Sequence, residues 1–398
     1  MERLFEVFRQ RLAQTNTDFV RSQMEATEWE ARLVGIRGAR GVGKTTLLLQ
    51  HVKLHRNAFD GSTLYASLDN IWFSDHRLYD LASDFAKRGG RYLYLDEVHK
   101  YPNWTQELKN IYDDIPTLNV VFTGSSMLEI LNARADLSRR AAVYDMQGFS
   151  FREYLNRNLG LSLPKAMLSD ILEHHVELAA GILEQVKVLA HFDNYLKYGY
   201  YPFYNEMPSL YYSRINEVTD LIIDVEFPQL RGVDPAYLPK IKQLLYVISE
   251  SAPFTPNITK LGERIGLTRN SLLLYIAALH DSRLTYSTQK SAFGLTRLQK
   301  PDKIYLENTN QMFALADTVP NVGNVRETFF ANQLRHSHRV NIAEEGDFLI
   351  DGRYIFEVGG EKKGNRQIAE LSDAYIAADN LEYGFGNKIP LWLFGLLY

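Results

Sequence analysis

"GARGVGKTTLLL", residues 38–49, decides how the first half of this chain is read. Gly38, Ala39, Arg40, Gly41, Val42, Gly43, Lys44 and Thr45 satisfy the pattern G-x-x-x-x-G-K-[ST], after the apolar run "RLVGI" and before a helical stretch. Glycines at these places let the backbone wind tightly and turn its N–H groups toward phosphate oxygens. The helix N-terminus that follows adds positive partial charge. Lys44 then reaches the β- and γ-phosphates and the Thr45 hydroxyl ligates Mg2+, with Thr46 beside them as a further nucleotide-side residue. The plain alternative is a glycine-rich turn with a surface lysine, and the strand before and helix after argue against it.

Working outward, "RYLYLDEVHK" (91–100) is an apolar strand ending in Asp96-Glu97. A carboxylate at the C-terminal end of a neighbouring strand holds the metal, here Asp96, and Glu97 is placed to polarise the attacking water. "LNVVFTGSS" (118–126) ends in hydroxyls, of which Thr123, Ser125 or Ser126 would sense the γ-phosphate or hold the water. An ordinary Ser helix cap is the competing explanation. "LSRR" supplies Arg139 and Arg140, candidates for an arginine finger or a sensor of transition-state charge; the competing role is a surface salt bridge. Together with "TLYASL", these strands alternate with the helical segments 43–55, 76–88 and 104–114, a pattern that predicts a parallel sheet covered on both faces.

Length and composition set the bounds. At 398 residues, two or three domains are expected. The net charge is −4, so contact with nucleic acid needs a local basic patch. Cysteine is absent, which excludes disulfides and thiolate zinc sites and fits a reducing compartment. "MERLFEVFRQRL" has neither the apolar core nor the cleavage site of a signal peptide, and no apolar stretch is long enough to span a bilayer. A cytoplasmic protein without membrane contact is the expectation.

The set "GARGVGKTTLL", "LYLDEVHK" followed by "NWTQELKNIYDD", "VVFTGSS", "LSRR" and "GFSFREYL" resembles the prokaryotic AAA-type P-loop ATPases that carry a C-terminal domain of unknown function. The resemblance implies three parts. These are an AAA-type ATPase domain over 1–155, a helical lid and winged-helix-like region over 156–300, and an α+β restriction-endonuclease-like domain over 301–398. It also implies ATP rather than GTP as the nucleotide, and places Lys44, Thr45, Asp96 and Glu97 at the family's nucleotide and magnesium positions.

In the middle, "ITKLGERIG" and "TRNSLLLYIAALHDS" have a helix-turn-helix cadence, closed by Gly266 and reopened by Thr268, with "RLTYSTQK" as a wing strand. Arg269, Asn270 and Ser271 would face bases or phosphates. Residues 236–300 hold nine Lys or Arg against three acidic residues, a local balance of +6. An interdomain spacer with a buried apolar helix is the bland alternative. The tyrosines of "YLKYGYYPFY" (195–204) are either a stacking platform for single strands or core aromatics. Toward the C-terminus a helix is expected near 366–379. Glu327, Asp347 and Glu357 are placed as in a metal-dependent nuclease, but Glu357-Val358-Gly359 lacks the lysine such sites use, so only Lys362 or Lys363 could supply the charge. An inactive fold kept for binding is expected. The ten histidines, His174-His175 included, show no metal-ligand spacing.

The functional expectation is a Mg2+-dependent ATP-hydrolysing enzyme that couples turnover to binding or remodelling of DNA, branched or single-stranded, through 236–300, with a homo-oligomer among its expected assemblies. The alternatives are a nucleotide switch acting on a protein partner and an ATP-gated nuclease.

Overall fold

The strands around the glycine-rich loop are covered on both faces except the last, a half-exposed edge strand. In the computed structural model, which describes residues 1–125, 137, 139–290, 300–364, 368 and 371–398, they are β1 (Leu33–Arg37), β2 (Thr63–Ser67), β3 (Tyr92–Asp96), β4 (Asn119–Gly124) and β5 (Ala142–Asp145). They form one parallel sheet in the order β2-β3-β4-β1-β5. Around it lie α1 (Glu2–Gln14), α2 (Gln23–Ala26), α3 (Lys44–His55), α4 (Leu78–Lys87) and α5 (Trp104–Asp114). Strands β1 and β2 are buried along their whole length, which is why their sequences read as apolar runs rather than as alternation. The order brings the C-terminal ends of β3, β4 and β1 side by side, with Ile36 opposite Thr123 and Ser67 opposite Asp96. Open parallel sheets bind ligands along such an edge.

These elements belong to the first of two compact units, Met1–Gly148; the second is Phe149–Tyr398. The second unit opens with α6 (Phe151–Leu159), where Ser150 and Glu153 form a reciprocal capping box. The helices α7 (Leu168–Leu183), α8 (Val188–Tyr198), α9 (Tyr211–Leu221), α10 (Phe227–Arg231), α11 (Leu238–Ser251), α12 (Ile258–Ile265) and α13 (Arg269–Asp281) follow. Next come the antiparallel pair β6 (Thr285–Thr288) and β7 (Lys303–Leu306), then α14 (Thr309–Leu315) and α15 (Val322–Leu334). A second sheet has the order β12-β11-β10-β9-β8, from β8 (Val340–Asn341), β9 (Phe348–Ile350), β10 (Tyr354–Gly359), β11 (Ala374–Ala378) and β12 (Lys388–Pro390). The β8-β9-β10 part is antiparallel and the β10-β11-β12 part parallel. The C-terminal "LWLFGL" forms a buried 3-10 turn against α6, α7 and α15.

One expectation fails, and one open alternative is decided in favour of core aromatics. The helix near 366–379 is not what forms at its C-terminal half: Ala374–Ala378 is a strand paired on both sides, by β10 and β12. "AYIAA" is too short for periodicity to separate a buried strand from a buried helix, and pairing decides it. The tyrosines of 195–204 are not a free stacking platform. Tyr195, Tyr200 and Tyr201 are buried, Tyr195 Oη donates to the Phe149 carbonyl at 2.6 Å, and Tyr198 stacks on Tyr204.

Candidate nucleotide-binding site

The loop between β1 and α3 needs its glycines for separate reasons. Gly41 and Gly43 sit at φ 82° and 98°, the left-handed region that side chains disfavour. A Cβ on Gly38 would lie 2.3 Å from the Met146 carbonyl oxygen. Lys44, at the first turn of α3, is buried, and its ammonium donates to the carbonyls of Gly38 and Ala39 at 2.8 and 2.9 Å. Val42 is buried beneath the loop, Thr46 is exposed on α3, and Arg40 keeps one guanidinium nitrogen, Nη2, buried with no hydrogen-bond partner among the described residues.

The β3 and β4 ends complete the arrangement. Thr45 Oγ1 donates to Asp96 Oδ2 at 2.7 Å, Tyr65 Oη donates to the same oxygen at 2.8 Å, and Thr123 Oγ1 donates to Asp96 Oδ1. Asp96 is 1% exposed, so its charge depends on these donors. Glu97 holds a left-handed backbone, φ 54°, a conformation that costs energy for a side-chain-bearing residue and that recurs at functional sites. Ser125 Oγ donates to Glu97 Oε1 at 2.6 Å, and His99 Nε2 lies 3.3 Å from Oε2. Hydroxyl and carboxylate oxygens at Thr45 and Asp96 are the hard donors Mg2+ takes, so this pair fits the ion directly or through water. Loop N–H groups, Lys44 and the unpartnered Arg40 nitrogen suit an anionic polyphosphate.

Thr45, Asp96, Glu97, Thr123 and Ser125 are thus brought together with the loop. Ser126 lies outside the described residues. Arg139 and Arg140 are not brought to this edge. They precede β5, whose first residue, Ala142, pairs with Val34, whereas the loop leaves the opposite end of β1. Arg140 forms a two-pronged pair with Asp113 at 2.9 Å.

Three contributors escaped the sequence. Arg21 donates to the carbonyls of Val42, Gln147 and Gly148 at 2.8–2.9 Å and so buttresses the loop from behind. Tyr65, on β2, reaches Asp96. His99 is 5% exposed at its side chain and is pushed down to about 3, by burial first and then by the charges of Lys100, Arg40 and Lys44. It is therefore a neutral imidazole beside Glu97. Only His99 had a signal, its place three residues after Asp96; Arg21 and Tyr65 had none, since the fold alone brings them in.

Residues 30–155 match the family model described as an AAA domain. The matched residues contain the glycine-rich loop and all five strands of the first unit's sheet. The match spans about a third of the chain and stops short of most of the second unit. No curated protein matches the sequence. Among solved structures, a Walker-type ATPase of Pyrococcus abyssi is 15% identical over 75% of this chain and 95% of its own, with a TM-score of 0.42. PCH-2 of C. elegans is 16% identical over 42% and 50%, TM-score 0.24. AMPPCP-bound DnaA from Aquifex aeolicus is 14% identical over 69% and 85%, TM-score 0.25. Likenesses this distant say nothing of substrate or partner.

In the second unit, α12 ends on Gly266 at φ 71°, and the Thr268 side chain caps α13 by accepting from Ser271 N. Arg269 and Asn270 are exposed at the start of α13, and Ser271 is half-buried. The local basic balance is partly spent: Lys242 bridges Asp220 and Asp224 at 2.7 Å each, and Lys240 donates to the Gly266 carbonyl. Farther on, Lys363 Nζ lies 2.9 Å from Glu357 Oε1, so a cation does reach the carboxylate that has none two residues on. Lys362 carries no such contact among the described residues. Asp347 Oδ2 accepts from Val358 N at 2.8 Å. Glu327 accepts from Lys303 and Tyr305 at 3.2 Å each, and burial, helped by the Asp347 charge, pushes its carboxyl above the usual range. Among the described residues no group of three or more His, Cys, Asp or Glu is arranged to hold a metal, and no helix is long and apolar enough to cross a membrane.

Proposed function

We propose that the protein is a Mg2+-dependent AAA-type ATPase that couples hydrolysis to binding or remodelling of DNA. The observation that carries the hydrolytic part is the convergence of Thr45, Asp96 and Glu97 on one sheet edge beside the glycine-rich loop, with Thr45 and Asp96 in direct contact at 2.7 Å. Mg2+ bound there would neutralise charge on the β- and γ-phosphates. Lys44 leaves the loop carbonyls for phosphate oxygens. Glu97 orients a water in line with the γ-phosphorus and takes its proton as the water oxygen bonds to phosphorus, the bond to the β–γ bridging oxygen breaks, and ADP and phosphate leave. Ser125 donates to one oxygen of Glu97 at 2.6 Å and the neutral His99 ring lies beside the other, so the general base is aimed before the nucleotide arrives.

The DNA part rests on the exposed Arg269 and Asn270 at the start of α13 and on a winged-helix assignment for α12, α13 and the β6-β7 pair. We further assign a restriction-endonuclease-like fold to 301–398, kept for binding rather than cleavage. A nucleotide switch on a protein partner is the second reading, favoured by the neutralisation of Lys242 within its own unit. The test compares ATP hydrolysis by wild type and Glu97→Gln, each with and without duplex, branched and single-stranded DNA at low salt. Wild type should hydrolyse ATP and be stimulated by DNA, and the variant should lose about 100-fold or more of its rate while still binding nucleotide. Equal rates for the two proteins would remove Glu97 from the reaction; hydrolysis indifferent to every DNA would leave only the switch.

A further inference from the structure

Asp96 is tied to a residue far from any motif. Its Oδ2 accepts from Tyr65 Oη at 2.8 Å as well as from Thr45, and Tyr65 Oη in turn accepts from Arg11 Nη1 at 2.8 Å. The direction of this chain follows from its members. A guanidinium only donates and a carboxylate only accepts, so the single phenolic proton is committed to Asp96. Tyr65 is 1% exposed, so these two partners and not water define the orientation of its hydroxyl. The positive charge of Arg11 polarises the same O–H bond.

We infer that Tyr65, oriented by Arg11, is a positioning residue that fixes the Asp96 carboxylate for Mg2+. The inference rests on the ATPase reading above. Thr45, Tyr65 and Thr123 together hold both carboxylate oxygens in one rotamer, and outer-shell donors of this kind set how well a carboxylate receives a metal. Arg11 belongs to α1, ahead of the residues that match the AAA domain. That helix is anchored by buried Leu4, Phe8 and Leu12, lies along β2 and α3, and sets its Phe8 ring 6.3 Å from that of Tyr65. A helix outside the P-loop motifs thereby acts on the metal side of the site.

A core tyrosine with a merely satisfied hydroxyl is the rival, and Tyr65→Phe separates the two because it keeps the ring. Binding of a fluorescent ATP analogue is titrated with Mg2+, and again in EDTA, for wild type, Tyr65→Phe, Arg11→Met and the double variant. The Mg2+ needed for half-maximal enhancement should rise about tenfold in Tyr65→Phe. Binding in EDTA should stay unchanged. Arg11→Met should shift the same way by less, and the double variant should equal Tyr65→Phe, because Arg11 acts only through Tyr65. A lowered melting temperature with an unchanged Mg2+ dependence would overturn the inference. Absence of Mg2+-dependent nucleotide binding in wild type would overturn the ATPase reading, and the inference with it.

Discussion

Mild acid should destabilise the first unit through two histidines that fold in the neutral state. His51 is 2% exposed, stacks on Trp29 at 3.9 Å and is hydrogen-bonded through Nδ1 to Tyr94 Oη, 2.9 Å away. Burial, with Arg56 and His55 nearby, lowers it to about 3, and His99 is lowered to about 3 by burial and by Lys100, Arg40 and Lys44. Both folded values lie below the ordinary 6.5, so the unfolded chain takes up protons first and stability falls as pH drops from 6.5 toward 3. Between pH 7.5 and 5.5 each histidine removes a little over 1 kcal/mol, and the pair about 3 kcal/mol. That is a large fraction of a typical domain stability, and in a unit of this size it shifts the melting temperature by roughly 10 °C. The assay is urea unfolding of the first unit's tryptophans across that range, for wild type, His51→Gln and His99→Gln. Each variant should flatten the pH slope by about half. Variants that follow the wild-type slope, or histidine NMR signals that titrate near 6.5 in the folded protein, would refute the assignment of buried neutral rings.

Two further outcomes follow from the second unit. Lys363→Met strands the charge of Glu357, which is 1% exposed, and should destabilise that unit by about 3 kcal/mol; Glu357→Gln in the same background should recover most of it, read by thermal unfolding. Arg269→Ala should weaken DNA binding uniformly across sequences and reduce the slope of log K against log salt by about 1, measured by fluorescence anisotropy; an unchanged slope removes Arg269 from the phosphate contacts.

What could be read from the chain depended on whether a residue's partner was local. The loop 38–45 was legible because its requirement is backbone geometry: Gly41 and Gly43 need positive φ, and that requirement is written in residue type. The helix stop at Gly266 and the cap at Thr268 were legible for the same reason, since each satisfies backbone groups within four residues. "YLYLD" and "LVGIR" announced strands because burial on both faces leaves no polar alternation to obscure them. The strand Ala374–Ala378 was hidden because a five-residue apolar run carries no period of its own.

The supporting shell was illegible on other grounds. Arg11, Arg21 and Tyr65 act across 85, 126 and 31 residues of sequence, on Asp96 through Tyr65, on Gln147, and on Asp96. Nothing in an arginine's neighbours says which distant carbonyl or hydroxyl it will meet. Only the strand order, which lays β2 beside β3 and the loop beside Met146, creates those contacts. Arg139 and Arg140 show the converse. Their place next to "AAVYD" suggests a role at the phosphates, yet a parallel strand puts its start and its end on opposite edges of the sheet, and these arginines stand at the start. Any contact they make with a γ-phosphate must therefore come from a second copy of the chain, and mixing Arg140→Ala with Glu97→Gln subunits is the complementation that would reveal it.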